Sequence, residues 1–176
     1  QNTAYELMPS VVGSEMCIRD SPSALLGELP LGIPENLVPY ITQTAIGKRE
    51  CLTVFGDDYE TADGTCVRDY IHIMDLAEVH ITCLEKLISS NDDSFFKVYN
   101  VGTGKGTSVL ELINIFENVN DIKLNYKIGE RRKGDVVTAY ADTSKIKEEL
   151  NWSTKNSLKN ALKSAWNWEL NLNKDE

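Results

Sequence analysis

Residues 65–72 have the sequence Thr65-Cys66-Val67-Arg68-Asp69-Tyr70-Ile71-His72, and the pattern predicts a mostly buried strand that carries an arginine. An arginine is rarely buried without a partner. Its planar guanidinium is suited to grip a phosphate or a carboxylate through two parallel hydrogen bonds. From these residues alone, Arg68 is either a ligand anchor or one half of a structural ion pair with Asp69 or another acid.

The composition around this stretch is that of a globular domain. The chain has 176 residues, of which 41% are hydrophobic and 26% charged, which is long enough for one good core. The net charge of −9 argues against a general nucleic-acid-binding protein, which needs a basic face. The sequence shows neither a membrane-spanning apolar run nor a signal peptide. A cytoplasmic location, with no membrane or nucleic-acid partner, is therefore expected.

The cysteines and histidines do not form a metal-binding pattern. Four cysteines, at positions 17, 51, 66 and 83, include no Cys-x-x-Cys pair. Neither histidine stands at metal-ligand spacing from them or from the other. We therefore expect reduced structural thiols and no metal site.

The two ends of the chain differ from its middle. Residues 1–20 show no period of two or 3.6 and are predicted to be a non-native leader, from cloning, assembly or a frame error, with a genuine N-terminal arm as the alternative. Resequencing the gene across codon 20 separates the two. Residues 171–176 are expected to form a polar, frayed tail. Residues 21–170 are the expected domain.

Within that domain, helices and strands alternate, which predicts an α/β or α+β fold. Asn36 is a good N-cap for an apolar helix that ends near Gly47. The free N–H groups at the start of this helix are either simply capped or receive a phosphate. A strand over 96–101 leads into Gly102–Gly106, whose spacing favours a tight turn over a phosphate loop. The remaining predicted elements are strands at 52–55, 67–73 and 124–128, an extended segment at 136–141, and helices starting at Asp75, Ser108, Thr143 and Ser157.

Taken together, the motifs resemble one family. They are Leu31 to Tyr40 (LGIPENLVPY), Val54 to Tyr59 (VFGDDY), Asp63 to Thr65 (DGT), Val67 to His72 (VRDYIH) with Asp75 to Ala77 (DLA), Tyr99 to Gly102 (YNVG), Arg131 to Asp135 (RRKGD) and Ala141-Asp142. In this order they are similar to the C-terminal half of the UDP-glucose 4-epimerases, which belong to the extended short-chain dehydrogenase/reductase superfamily. The resemblance covers about residues 21–170.

The resemblance implies a fold, a reaction and a cofactor. The fold is the α/β C-terminal part of a Rossmann-type protein, mainly its small substrate-binding domain. The reaction interconverts UDP-glucose and UDP-galactose through a 4-keto sugar, with NAD taking and returning the hydride. Homodimers are implied for the full-length protein. This sequence has no G-x-G-x-x-G after a strand and no Tyr-x-x-x-Lys pair, so the catalytic residues and the main NAD site are expected upstream, and this chain is expected to bind without turnover.

The resemblance also implies the substrate-binding residues. Asn36 matches the residue that meets the diphosphate together with its helix terminus. Thr53, Val54 and Phe55 match the strand along uracil. The last group is Arg68 and Arg132, which match the diphosphate arginines, and Asp135, which matches the carboxylate that accepts from a ribose hydroxyl.

Two positions depart from the usual family pattern. Cys66 stands where the family often has glycine, so the backbone there has less conformational freedom. Ala139 stands where members have a bulky tyrosine or a small cysteine. A small residue leaves space near C2 of the sugar, so we expect the complete enzyme to accept N-acetylated UDP-sugars.

Two other functions stay open at this stage. One is another nucleotide-sugar epimerase, dehydratase or decarboxylase of the same superfamily. The other is a non-catalytic nucleotide-sugar-binding remnant, which would apply if the upstream gene lacked the Tyr-x-x-x-Lys pair. The segment from Ile33 to Pro39 and the loop from Asp63 to Thr65 favour the epimerase.

Overall fold

Short strands and longer helices alternate along the chain. The computed structural model describes residues 17–90 and 96–174, in which the elements are β1 (Cys17–Ile18), α1 (Leu37–Ala45), β2 (Leu52–Phe55), β3 (Val67–Arg68), β4 (Ile71–His72), α2 (Ile73–Ile88), β5 (Thr107–Ser108), α3 (Val109–Asn120), β6 (Tyr126–Gly129), β7 (Thr138–Ala139), α4 (Ser144–Leu150) and α5 (Leu158–Leu172). None of the described helices is both long and apolar enough to cross a membrane.

The described strands form three small sheets. β1 pairs with β4 and β2 with β6, both in parallel. β3 lies between β5, which runs antiparallel to it, and β7, which runs parallel. In this register Arg68 faces Thr107 on one side and Ala139 on the other. The backbone of the arginine is therefore held from both sides.

The apolar side chains gather in two clusters. The larger one joins α1, α3 and α5 to β2, and at its centre Leu112, Phe116 and Leu162 have no exposed surface. The ring of Trp166 meets Phe116 edge to face, with 6.0 Å between centroids, an arrangement that aromatic pairs favour. The smaller cluster joins β4 and α2 to α4. These clusters fix the elements whose ends carry the polar residues described below.

Several predicted helix starts are confirmed by the backbone. The Ser108 and Ser157 hydroxyls accept hydrogen bonds from the N–H groups three residues on, as N-caps do. α1 begins directly after Asn36. These signals are local, so neighbouring residues alone are enough to read them.

Several predicted boundaries are wrong. The strand predicted at 124–128 runs from Tyr126 to Gly129. The strand over 67–73 is two strands of two residues each. α2 starts at Ile73 rather than Asp75, because His72 is the N-cap and its Nδ1 accepts from Met74 N–H at 3.0 Å. Residues 96–101 form no strand. α5 extends to Leu172, into the predicted tail, and Asn171 on it donates to the Ala24 carbonyl at 3.0 Å.

The end of the predicted leader packs against the domain. Residues 1–16 lie outside the described part, whereas Cys17, Ile18 and Asp20 are buried. Asp20 Oδ1 accepts from Glu28 N–H at 2.9 Å. Burial, opposed by this hydrogen bond, raises the pKa of Asp20 from 3.8 to about 6. That residues 1–20 are a non-native leader stays a prediction.

The raised pKa of Asp20 predicts a pH-dependent stability difference. Asp20→Asn removes the titration but keeps an oxygen that accepts from Glu28. The pKa of Asp20 in the folded state, about 6, lies above the value of 3.8 in the unfolded state. Protonated Asp20 therefore contributes its full share to the free energy of unfolding below about pH 4, and this contribution is lost as the pH rises through about 6. From pH 4 to pH 8 we expect the variant to gain up to about 3 kcal/mol relative to the parent. Urea unfolding at both pH values measures this gain, and a pH-independent difference would contradict it.

Candidate functional site

Seven of the eight predicted site residues line one cavity of about 700 Å³. Its walls come from the start of α1, from β2, from β3 and from the loop before β7. The seven residues are Asn36, Thr53, Val54, Phe55, Arg68, Arg132 and Asp135. Ala139 is not part of the wall and lies beside Arg68 on the neighbouring strand. Residues separated by about a hundred positions in sequence thus meet at one place.

Two arginines share one carboxylate at this cavity. Asp135 Oδ1 accepts from Arg132 at 2.7 Å (Nη2) and 3.2 Å (Nε). The same oxygen lies 3.9 Å from Arg68 Nη2, which is too far for a hydrogen bond. The hydrogen bonds that Arg132 donates to the Asp135 carboxylate raise the pKa of Arg132. The three groups together carry one net positive charge, with Arg68 only loosely paired.

Arg68 is prepared to receive a further acceptor. Its side chain is only 13% exposed, and Nη1 donates to its own neighbour, the Val67 carbonyl, at 2.8 Å. A guanidinium has five N–H donors. Within the described part of the chain, the remaining donors of Arg68 have no acceptor at hydrogen-bond distance. The loose ion pair that forms is with Asp135, and Asp69, the acid next to Arg68, takes no part in it.

Asp69 is occupied in holding three backbone segments together. Its Oδ1 accepts from the Thr103 N–H at 2.9 Å and the Thr103 hydroxyl at 2.5 Å. Its Oδ2 accepts from Gly104 N–H at 3.0 Å and Ala141 N–H at 3.3 Å. The backbone N–H groups of Thr103 and Gly104 in the glycine-rich segment therefore donate to a buried carboxylate, as in a structural turn. The same carboxylate holds the chain just after β7.

A stacked arginine fixes the loop that carries Arg132 and Asp135. The guanidinium of Arg131 lies 4.2 Å from the centre of the Tyr59 ring, and its Nε donates to Asp58 Oδ1 at 2.6 Å. This ion pair raises the pKa of Arg131 and lowers that of Asp58. Arg131 therefore attaches the loop that carries Arg132 to the polar segment after β2.

Among the described strands, β2 pairs only with β6, and its other backbone edge lies at the cavity. The N–H groups of Leu52 and Gly56 donate to Asn125 and Gly129 on the β6 side, at 2.9 and 3.0 Å. In a parallel ladder the intervening residues point their N–H and C=O groups the other way, so Thr53 and Phe55 face away from β6. Phe55 is 46% exposed. This edge suits a flat, hydrogen-bonding heterocycle.

Asn36 occupies the cap position of α1 without capping it. Its backbone has the extended conformation of an N-cap, with φ −89° and ψ 146°, but its side chain accepts no hydrogen bond from the helix. Instead, Nδ2 donates to Glu28 Oε1 at 2.7 Å. The first N–H groups of the helix and their partial positive charge therefore face the cavity.

The sequence indicated most of this site but missed its supports. Glu28, Asp58 and Tyr59 were not predicted to have roles, although Asp58 and Tyr59 belong to a recognised motif. Nothing in the local sequence marks Glu28, which contacts Asn36 only through a loop fold. Cys66, the departure from glycine, is buried beside the cavity and does not adopt a positive φ, so a side chain is accommodated there.

Comparisons with known proteins place this geometry in context. The family model for GDP-mannose 4,6 dehydratase matches residues 27–165. The chain is 52% identical over 147 residues to the UDP-glucose 4-epimerase of Pasteurella multocida (strain Pm70), a match covering 84% of this chain and 43% of that protein. The chain thus spans less than half the length of this relative.

Solved structures of UDP-glucose 4-epimerases are also similar to this chain over most of its length. The UDP-glucose 4-epimerase of Stenotrophomonas maltophila, solved with bound NAD and formylated UDP-arabinopyranose, superposes with a TM-score of 0.86 at 41% identity, covering 91% of this chain and 47% of that one. The enzyme of Bifidobacterium longum, in complex with NAD+ and UDP, superposes with a TM-score of 0.80 at 42% identity, covering 88% and 45%.

Proposed function

The chain belongs to the GDP-mannose 4,6 dehydratase family, and we propose that it is the UDP-sugar-binding part of a UDP-glucose 4-epimerase that interconverts UDP-glucose and UDP-galactose. The observation that carries the proposal is the convergence of Arg68, Arg132 and the open start of α1 on one cavity with the free edge of β2. Cationic forks and helix N-termini are suited to a diphosphate. A backbone edge beside an aromatic ring is suited to a pyrimidine.

Each group then has one role in holding the substrate. Arg68 and Arg132 bind the diphosphate, and Asn36 with the α1 terminus binds its other side. Thr53 and Phe55 hydrogen-bond uracil through their backbone, with Val54 turned into the core. The free oxygen of Asp135 accepts from a ribose hydroxyl. Anchoring the nucleotide while leaving the sugar room lets the sugar turn without dissociating, so that remote binding energy positions the reacting carbon.

In the described part of the chain, the backbone amides of the glycine-rich turn are not free to bind NAD. This turn is the nearest match to a dinucleotide loop, but the amides of Thr103 and Gly104 are bound to Asp69. A side chain at Gly102 would also collide with Asp69, so this glycine serves the approach of a carboxylate and not of a pyrophosphate. In the proposal, NAD and the catalytic Tyr and Lys belong to the part of the protein outside these residues.

Calorimetric titration of the 176-residue chain tests the proposal. UDP should bind saturably, and GDP at least about tenfold more weakly because a purine is larger than the pyrimidine that is proposed to lie along the edge of β2. Uridine should bind much more weakly because it has no diphosphate. No epimerisation of UDP-glucose is expected from this chain alone. Absence of saturable UDP binding would overturn the proposal, and a preference for GDP would favour another nucleotide-sugar enzyme of the family.

The non-catalytic alternative concerns the rest of the gene. If the coding sequence before codon 21 contains Tyr-x-x-x-Lys, the parent protein has the residues for catalysis. If it lacks them, the chain is a nucleotide-sugar-binding remnant. A homodimer of the full-length protein and a cytoplasmic location are further parts of the proposal, to be checked by light scattering and by fractionation.

The small side chain of Ala139 predicts tolerance for N-acetylated substrates. Ala139 pairs with Arg68 across β3 and β7, and in the proposal a larger residue there would fill the space that the C2 substituent of the sugar needs. In the full-length enzyme, Ala139→Tyr should lower kcat/KM for UDP-N-acetylgalactosamine about tenfold or more relative to UDP-galactose. UDP-galactose is the internal control for folding. The idea fails if the parent does not turn over the acetylated sugar, or if the ratio is unchanged in the variant.

A further inference from the structure

The contact between Glu28 and Asn36 changes what the start of α1 can do. A free asparagine at an N-cap normally turns its side-chain oxygen to the N–H of the second or third helical residue. Here the third helical residue is Pro39, which has no N–H. Self-capping by Asn36 would therefore fall on Val38 N–H alone. That N–H is one of the few donors that the helix offers to a ligand.

Glu28 prevents this self-capping. Its carboxylate only accepts hydrogen bonds, so Asn36 must present Nδ2 to it, at 2.7 Å. The side-chain oxygen of Asn36 is consequently kept off the helix terminus. In the described part of the chain, the N–H groups of Leu37 and Val38 have no acceptor, and both residues line the cavity with Arg68 and Arg132.

Glu28 is itself held firmly in place. Its side chain is 13% exposed, and its backbone carbonyl accepts from Trp168 Nε1 on α5 at 2.9 Å. Its N–H donates to Asp20, and Arg19 Nη1 donates to its carboxylate at 3.1 Å. A side chain on Gly27 would approach Trp168 and Asp20 within 2.4 Å. The bond from Trp168 does not depend on residues 1–20, so Glu28 stays anchored whatever precedes it.

We propose that Glu28 is a positioning residue: it holds the Asn36 amide away from the α1 terminus, so that the N–H groups of Leu37 and Val38 and the second Asn36 N–H stay available to the substrate diphosphate. This inference rests on the proposed function, because it assigns Glu28 to the same diphosphate site. The Glu28 carboxylate, although negatively charged, would in this way strengthen binding of the diphosphate.

Variants of Glu28 separate positioning from plain electrostatics. Removing a negative charge beside a diphosphate would by itself tighten binding. Positioning predicts the opposite for Glu28→Ala, with UDP bound about three- to tenfold more weakly in calorimetry as Asn36 turns to cap its helix. Glu28→Gln keeps an acceptor for Asn36 and should bind UDP at least as tightly as the parent. Glu28→Asp keeps the charge but is too short for the contact, and should weaken binding as alanine does.

A second variant ties the effect to Asn36. Glycine is tolerated at an N-cap, so Asn36→Gly keeps the helix while removing the side chain that caps. In that background Glu28→Ala should no longer weaken UDP binding. Glu148→Ala on the exposed face of α4 is the matched control and should leave the affinity unchanged. Thermal unfolding confirms that each variant is folded.

The outcomes distinguish this inference from the proposed function. If the parent chain does not bind UDP, the proposed function fails first. If the parent binds UDP and Arg68→Ala weakens it, but Glu28→Ala and Glu28→Asp bind as tightly as the parent or more tightly, only the positioning role is overturned. The same follows if Glu28→Ala weakens binding equally with and without the Asn36 side chain, because the effect would then be general destabilisation.

Discussion

Arg68→Ala is expected to weaken UDP binding by about 30- to 100-fold, or about 2–3 kcal/mol. The arginine is held on both sides by β5 and β7, and its side chain is largely buried at the cavity. Its nearest carboxylate oxygen, on Asp135, lies 3.9 Å away. This guanidinium keeps N–H donors available for a ligand. Because it is already largely buried, binding a ligand costs little further desolvation of the arginine. Bonds between ionised partners are stronger than neutral ones.

Two further variants show whether the loss comes from the fork or from the charge. Arg68→Lys keeps the charge without the planar pair of donors, so an intermediate loss of about tenfold is expected. Lys147→Ala removes one positive charge from the exposed face of α4 and should change the UDP affinity less than about twofold. Calorimetry on the 176-residue chain measures all three. If Arg68→Ala binds UDP within threefold of the parent, Arg68 is a structural partner of Asp135 and not a ligand anchor.

The fold class and family predicted from the sequence are confirmed by the family match and by the solved structures. This succeeded because the blocks of sequence around Arg68 and Arg132 stand in a fixed order, and order over a hundred residues is specific. Local capping by Ser108 and Ser157 was predicted for a simpler reason: each bond spans three residues. Such signals need no knowledge of the tertiary structure.

The failures occur where long-range pairing decides. Phe96, Val98 and Val101 have the composition of a strand, yet Phe96 and Val98 are 76% and 55% exposed, and none of the described strands pairs with this segment. A β-rich pattern forms a strand only when a neighbour supplies the ladder. His72 is a strand residue as predicted, the second residue of β4, but its ring also caps α2. The predicted start of that helix at Asp75 was wrong because strand and N-cap residues share extended backbone angles.

The supports of the candidate site were beyond sequence reasoning for the same reason. Asn36 was predicted at its helix terminus, but its partner Glu28 approaches through the packing of α5 against the loop before α1. Arg132 was predicted at the cavity, but the stack of Arg131 on Tyr59 that attaches its loop joins residues over 70 positions apart. The assignment of individual binding residues stays a prediction until ligand binding is measured.

The buried carboxylate of Asp69 predicts the largest effect on stability. It is 8% exposed and receives four hydrogen bonds, from Thr103, Gly104 and Ala141. In Asp69→Asn, one oxygen can still serve Thr103. The new NH2 group would then face the N–H groups of Gly104 and Ala141, donor against donor, with both left unsatisfied. Each unsatisfied buried group costs about 1–3 kcal/mol, so a loss of about 3–4 kcal/mol is expected.

Such a loss is a large fraction of the roughly 5–15 kcal/mol that stabilises a domain, and urea unfolding followed by circular dichroism measures it. Gly102→Ala disturbs the same contact, because the added Cβ would lie 2.3 Å from Asp69 Oδ2, and it should lower the free energy of unfolding by a similar amount.

Asp57→Asn is the control, since it makes the same substitution at an exposed aspartate in the loop after β2. It should lower the free energy of unfolding by less than about 0.5 kcal/mol. If Asp69→Asn matches this control, the turn at Thr103 and the chain after β7 are held by packing alone. If it is destabilised as expected, Asp69 ties the chain after β7 to the end of β3 and thereby stabilises the backbone that carries Arg68.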